Sequence, residues 1–119
     1  MDGRGAFYDE LVIDGESARG RVRPAHAAAL CVGHFPGDPF IPGAYLAGLM
    51  ADLAHRLMRN GRTSARLRRV ARCSFRARVT PDAEIVVLAR LAPRRHVEAE
   101  VRAHGACAAR ATLVFGLSA

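Results

Sequence analysis

Apolar and polar residues alternate along this chain with two different periods, and the places where the period changes mark its elements. The first third reads as two short strands, roughly Ala6 to Ile13 and Ala18 to Arg23. Asp14-Gly15 between them is a turn signal, so the pair is expected as a hairpin. Pro24 to Pro42 carries four prolines and, with Gly43, three glycines, around GHFPGDPFIPG, and reads as a shaped loop rather than an element. From Pro42 the apolar spacing becomes helical. Leu46, Leu49, Met50, Leu53 and Leu57 recur at three and four residues and form one stripe. Pro42 suits the first helical turn, Asn60-Gly61 suits the stop, and Arg56 and Arg59 suit the negative end of the helix dipole, so one long helix is predicted over about 42 to 59.

Beyond the helix the period falls to two. Leu67, Ala71, Cys73, Phe75, Ala77 and Val79 share one parity and Arg68, Arg72, Ser74, Arg76 and Arg78 the other, which predicts one apolar and one polar sheet face. Glu84 to Leu91 is more continuously apolar, as suits a central strand. His96 to Ala103 alternates with Val97, Ala99 and Val101 inward, and Ala106 to Phe115 follows across His104-Gly105 with Ala109, Ala111, Leu113 and Phe115 inward. The expected architecture is α+β: an antiparallel sheet with one long helix packed on its face.

At 119 residues the chain has room for one domain and one core. Half its residues are hydrophobic and 24% charged, which excludes the apolar-poor composition of disorder. No stretch reaches the roughly 18 apolar residues of a membrane span and the start MDGRGAFYDE has no signal-like apolar run, so a cytoplasmic location with no membrane partner is expected. Cys31, Cys73 and Cys107 stand singly, without the spacing of a zinc site or a disulfide framework, and read as small buried thiols. All eighteen basic residues are arginine and the net charge is +7, which favours an acidic partner. Seven aromatic residues and no recognisable reading motif leave little to stack on bases, so no specific nucleic-acid binding is expected.

The chemistry concentrates in GHFPGDPFIPGAYLAGLMADLAH, residues 33 to 55. Its prolines fix φ and its glycines permit tight turns, so His34 is presented by a stiff loop running into a helix N-terminus. The first helical amides, near Gly43 and Ala44, have no intrahelical acceptor and are natural donors to a carbonyl or developing oxyanion. His26, His96 and His104 read as solvated. No histidine pair has a supporting ligand set, so no metal and no cofactor is expected.

His34-Phe35-Pro36-Gly37-Asp38-Pro39 followed by Ile41-Pro42-Gly43 and a long apolar helix resembles the active-site loop and central helix of the 3-hydroxyacyl-ACP dehydratases of fatty acid synthesis. Arg72 to Asp82 and Val97 to Phe115 are similar to later strands of that family, so the likeness runs through about the whole chain. The resemblance implies a hot-dog fold, an antiparallel sheet wrapped around one long central helix. It also implies a homodimer, or a higher homo-oligomer, with active sites between protomers. His34 would remove the α proton of a (3R)-3-hydroxyacyl thioester, and the Gly43 amide would bind the thioester carbonyl. Phe35, Pro42, Tyr45 and Gly48 would line the substrate site. The implied partner is acyl carrier protein, acidic and docking on the arginine-rich surface, or acyl-CoA.

The chain departs from the pattern at one point. The resemblance also implies a carboxylate on the helix of the partner protomer, to protonate or orient the departing hydroxyl; it falls on residue 48, which here is Gly48. Asp52 lies one turn on, about 40° around the helix and roughly 6 Å along it, and is the candidate replacement acid; a salt bridge with Arg56 is its alternative role. Tyr45, three residues before Gly48, is a second possible hydroxyl donor, and His55 stands where it could orient Asp52 or simply sit at a surface. Three functions remain open: a dehydratase, a non-catalytic acyl-carrier-binding subunit, and a hot-dog acyl thioesterase.

Overall fold

The computed structural model describes residues 7–29, 37, 40–60 and 65–117. Six strands and two helices follow one another as β1 (Tyr8–Asp14), β2 (Ser17–Val22), α1 (Pro24–Ala29), α2 (Gly43–Arg59), β3 (Ala65–Phe75), β4 (Ile85–Ala92), β5 (His96–Ala103) and β6 (Ala106–Leu117). The strands form one antiparallel sheet in the order β1-β2-β4-β5-β6-β3. β4 is interior, as its continuous apolar run predicted, and α2 lies chiefly across β4 and β5. The expected α+β layers are present.

The helical stripe explains why α2 sits there. Leu46, Leu49, Met50, Leu53 and Leu57 are all buried, and they meet Val97, Ala99, Val101, Ala109, Ala111, Leu113 and Phe115 from the inward parity of β5 and β6. Each large apolar side chain so buried contributes about 1.5–3 kcal/mol, which outweighs the weak propensities of any single position. A row of alanines, Ala18, Ala89, Ala99 and Ala111, crosses four strands in register, and all four are buried.

Three expectations need correction. Pro24–Ala29 is a short helix rather than loop: Pro24 fits the first helical position, and the alanine-rich PAHAAA favours helix, but six residues are too few to show an apolar period. His26 consequently stands on a helix, half-buried, its ring 4.8 Å from that of Phe7, and burial pulls its pKa down. β3 breaks its period-two parity at two bulges, between Leu67 and Arg69 and between Ala71 and Ser74. Each irregularity changes which side chains share a face. Val70 therefore pairs with buried Leu113 on the helix side, whereas Ala71 pairs with Thr112, and Cys73 is exposed rather than a buried thiol. Arg72, inside the second bulge, has φ 53°. Cys31 lies outside the described residues.

Tyr8 anchors β1 beneath α2. It is fully buried, and it fits only because β2 presents Gly20: a Cβ there would stand 2.7 Å from two carbons of the Tyr8 ring. Gly20→Ala is expected to lower stability by about 1–3 kcal/mol, the usual cost of forcing extra volume into a packed core. Its urea midpoint should fall at unchanged slope.

Candidate active site

The end of the proline-rich loop, just before α2, is tied to residues 78 and 79. The Ile41 N–H donates to the Val79 carbonyl at 2.8 Å, and the Arg78 guanidinium stacks over the Phe40 ring at 4.3 Å. Pro42 precedes the helix with extended backbone, φ −58° and ψ 145°, and no side chain caps the first turn. The first intrahelical bonds run from Tyr45 and Leu46 to the Pro42 carbonyl. The N–H groups of Gly43 and Ala44 therefore come before any acceptor of the helix, and among the described residues they stand as donors at its positive end.

Phe75 from β3 stands against this terminus. A Cβ on Gly43 would lie 3.2–3.3 Å from three carbons of its ring, close enough that the ring would have to yield by a few tenths of an ångström, so glycine leaves the first helical residue in open contact with that face. The ring is 52% exposed, which makes it an apolar wall beside bare amide donors. Its parity places Phe75 on the apolar face of its strand, but nothing in the sequence joins it to Gly43, 32 positions earlier.

One turn further along α2, Gly48 has open space where a Cβ would stand, with nothing within 4 Å. A cavity of about 640 Å³ opens there between α2 and the start of β3, lined by Gly48, Asp52, His55, Arg59, Ala65 and Arg66 among others. The structure thus brings Gly48, Asp52 and His55 together, whereas Gly43 and exposed Tyr45 lie outside this lining. A slightly larger hollow, about 700 Å³, lies over β2, β4, β5 and β6 and contains none of the sequence-predicted site residues.

Asp52 is held on one oxygen. Its Oδ2 accepts from Arg56 Nε at 2.9 Å and from the Tyr8 hydroxyl at 3.2 Å, and the Arg56 guanidinium also lies 5.7 Å over the Tyr8 ring. His55 stacks parallel on Phe115, centroids 6.2 Å apart, rather than turning to Asp52. Tyr8 comes from a strand 44 residues away, and no spacing in the sequence ties it to the site. Burial, reinforced by the adjacent Asp52 charge, raises the Tyr8 pKa well above the ordinary phenol value of about 10. A phenol that stays protonated in the fold but ionises when unfolded makes the folded state lose stability as pH rises past about 10. Tyr8→Phe should flatten this alkaline fall, measured as urea stability at intervals from neutral pH upward.

His34 and Phe35 lie outside the described residues. Pro42, Gly43, Tyr45, Gly48 and Asp52 all fall on or beside the exposed side of α2 and its N-terminus. Among the described residues, no three His, Cys, Asp or Glu side chains gather as a metal site would require, and no helix is long and apolar enough to cross a membrane.

Residues 12–111 match the ApeI-like dehydratase family, described as ApeI dehydratase. The chain belongs to that family. No curated protein matches this ApeI-like chain in sequence. Among solved structures, the dehydratase heterocomplex ApeI:P from Xenorhabdus doucetiae superposes with a TM-score of 0.76 at 12% identity, covering 92% of this chain and 96% of that one. The (R)-hydratase from A. caviae involved in PHA biosynthesis gives 0.66 at 19% identity, covering 92% and 98%. A thioesterase superfamily protein from Shewanella loihica PV-4 gives 0.62 at 18% identity, covering 92% and 90%. At such identities these likenesses speak for the fold alone, which is the hot-dog fold implied by the loop motif. What bears on the activity of this ApeI-like chain is the family match itself, which is to a dehydratase family.

Proposed function

We propose that this chain is a dehydratase subunit acting on (3R)-3-hydroxyacyl thioesters carried by acyl carrier protein, in fatty-acid or related acyl-chain synthesis. The observation that carries the reading is the uncapped start of α2, where Gly43 lies against the Phe75 ring and the Gly43 and Ala44 N–H groups precede the first bonds of the helix. A thioester carbonyl received there would gain hydrogen bonds as it acquires enolate charge, while its acyl chain meets an apolar wall. His34 takes the α proton, the electron pair forms the Cα–Cβ double bond, and the C–O bond of the β-hydroxyl breaks. The departing hydroxyl then needs a proton to leave as water.

Supply of that proton decides between the readings. Asp52 stands in the cavity with Gly48 and can serve through a water, although its Oδ2 is already shared between Arg56 and Tyr8. That double engagement favours, as the second reading, a subunit that binds the acyl carrier but relies on another chain for the acid. An assembly of subunits accords with the heterocomplex to which the fold is similar. The net charge of +7 suits either an acidic carrier protein or the phosphates of acyl-CoA.

The deciding experiment offers (3R)-hydroxyacyl carrier and the matching pantetheine thioester to the purified protein and follows loss of water by mass spectrometry. Enoyl product with the thioester intact supports the dehydratase. Binding of the carrier without product supports the second reading. Free acid and free thiol would replace both with thioester hydrolysis.

A further inference from the structure

The side of α2 that faces away from the core is a single row. Gly48, Asp52, His55 and Arg59 follow one another at spacings of four, three and four, which places them one above the next along the helix. The row forms one wall of the cavity of about 640 Å³, and Ala65 and Arg66 at the start of β3 belong to the other. The two ends of the row differ in chemistry. Towards the helix N-terminus it is bare, since a Cβ on Gly48 would meet nothing within 4 Å. Towards the C-terminus it carries Arg59, which lines the cavity together with Arg66, and both arginines are exposed.

Among the described residues neither Arg59 nor Arg66 meets a carboxylate. Other arginines are matched within the fold, as Arg21 is by Asp9 and Arg90 by Glu98. Asp52 is the acid of the cavity lining, but it is already engaged: its Oδ2 accepts from Arg56 Nε at 2.9 Å and from the Tyr8 hydroxyl at 3.2 Å. His55 lies parallel to the Phe115 ring and presents a flat face midway along the row. A groove results, bare at its start and carrying two unanswered positive charges at its far end. The helix sets its length, because α2 runs 17 residues from Gly43 to Arg59, about 24 Å at 1.5 Å per residue. Long side chains on a helix lean towards its N-terminus, so the Arg59 guanidinium comes back by up to about one turn, roughly 5 Å.

We propose that this groove takes an acyl chain whose far end is a carboxylate, and that Arg59 and Arg66 select it. With the thioester carbonyl at the Gly43 and Ala44 N–H groups, the chain runs along the row past Gly48 and His55, and its far carboxylate lies between the two guanidiniums. The planar fork of a guanidinium meets a carboxylate with two parallel hydrogen bonds, each stronger than a bond between neutral groups. A methyl end of the same length makes no such bonds and takes water away from both charges. A carboxylate on a chain too short to reach Arg59 gains nothing, so the preference depends on length. This substrate class, a thioester with a second acid at its far end, deepens the functional reading and rests on it for the place of the thioester.

The test measures binding rather than turnover. Each chain is joined to pantetheine through an amide in place of the thioester, so that no probe loses water or hydrolyses; pantetheine is uncharged, which leaves the chain end as the sole difference in charge. Isothermal titration at low salt compares dodecanedioyl with dodecanoyl and butanedioyl with butanoyl. The dodecanedioyl probe is expected to bind about tenfold more tightly than its methyl-ended twin, near the low end of what a hydrogen bond to a charged group contributes, whereas the two short probes should bind alike. A variant with Arg59→Gln and Arg66→Gln, its fold checked by circular dichroism, should lose the tenfold preference and keep the dodecanoyl affinity. A second variant with Arg94→Gln and Arg95→Gln removes the same net charge from the turn between β4 and β5 and should keep the preference. Equal affinities for the two long probes, the same preference in the short pair, a preference that survives in the first variant, or one that is lost in the second would each overturn the proposal. Coenzyme A alone, binding as tightly as the dodecanedioyl probe and only while Arg59 and Arg66 are present, would give these arginines to its phosphates and overturn it as well. Dodecanoyl binding without any preference would sink this inference and leave the dehydratase reading standing. A tenfold preference with no enoyl product in the dehydration assay would do the reverse.

Discussion

Gly48→Glu is expected to raise dehydration of a (3R)-hydroxyacyl thioester by about 10²- to 10⁴-fold over the isolated wild-type chain, the range that a positioned general acid contributes. The position is ready for the side chain, because a Cβ at Gly48 meets nothing within 4 Å and the adjoining cavity is about 640 Å³. Arg59 and Arg66 on the cavity wall would hold the new carboxylate in place. The same substitution removes a glycine from the interior of a 17-residue helix, worth about 0.5–1 kcal/mol. A melting temperature higher by roughly 3–6 °C should accompany the gain. Gly48→Ala separates the two effects: it should bring the stability without the turnover. If Gly48→Glu melts higher yet shows no product with carrier-bound substrate, a carboxylate at this position is not what the isolated chain lacks.

Residues that act through local spacing are legible in the sequence itself. The stripe from Leu46 to Leu57 predicts α2 to within a residue of Gly43–Arg59, and the alternation from His96 predicts the bounds of β5, because a helix or strand that covers a core must repeat its apolar residues with its own period. β3 is only half legible. The sign of its bulges is present: Arg69 stands at an apolar parity and Val70 at a polar one. A binary pattern gives no reason to reset the register there, so alternation alone puts Ala71 and Cys73 on the wrong face. The loop motif points to Gly43 and to the vacancy at Gly48, since both are positions within one continuous segment. What surrounds them is not legible: Phe75 against Gly43, and Tyr8 on Asp52, are contacts across 32 and 44 positions, made by the way the sheet folds over the helix. The choice between the two roles open to Asp52 also depends on such a contact, because the Arg56 pair lies within the helix but the Tyr8 hydroxyl arrives from β1.

His34→Ala should abolish whatever dehydration the wild-type protein or its Gly48→Glu form performs, with kcat lower by about 10²- to 10⁴-fold and KM little changed. The split follows from the division of labour in the proposed site. On that reading substrate would be held through the thioester carbonyl at the Gly43 and Ala44 N–H groups and through apolar contact with Phe75, groups that belong to residues other than the one substituted. The histidine acts only as the α proton departs, so its loss falls on the transition state. The pH–rate profile supplies a second readout: in the parent, activity falls on the acid side as the base takes up a proton, and this limb should be absent from the residual rate of the variant. A rise in KM with kcat preserved would instead make His34 a binding group, and proton abstraction would then belong to another residue. Equal residual rates for His34→Ala and the parent, at every pH, would remove the dehydratase reading and leave carrier binding as the role of this site.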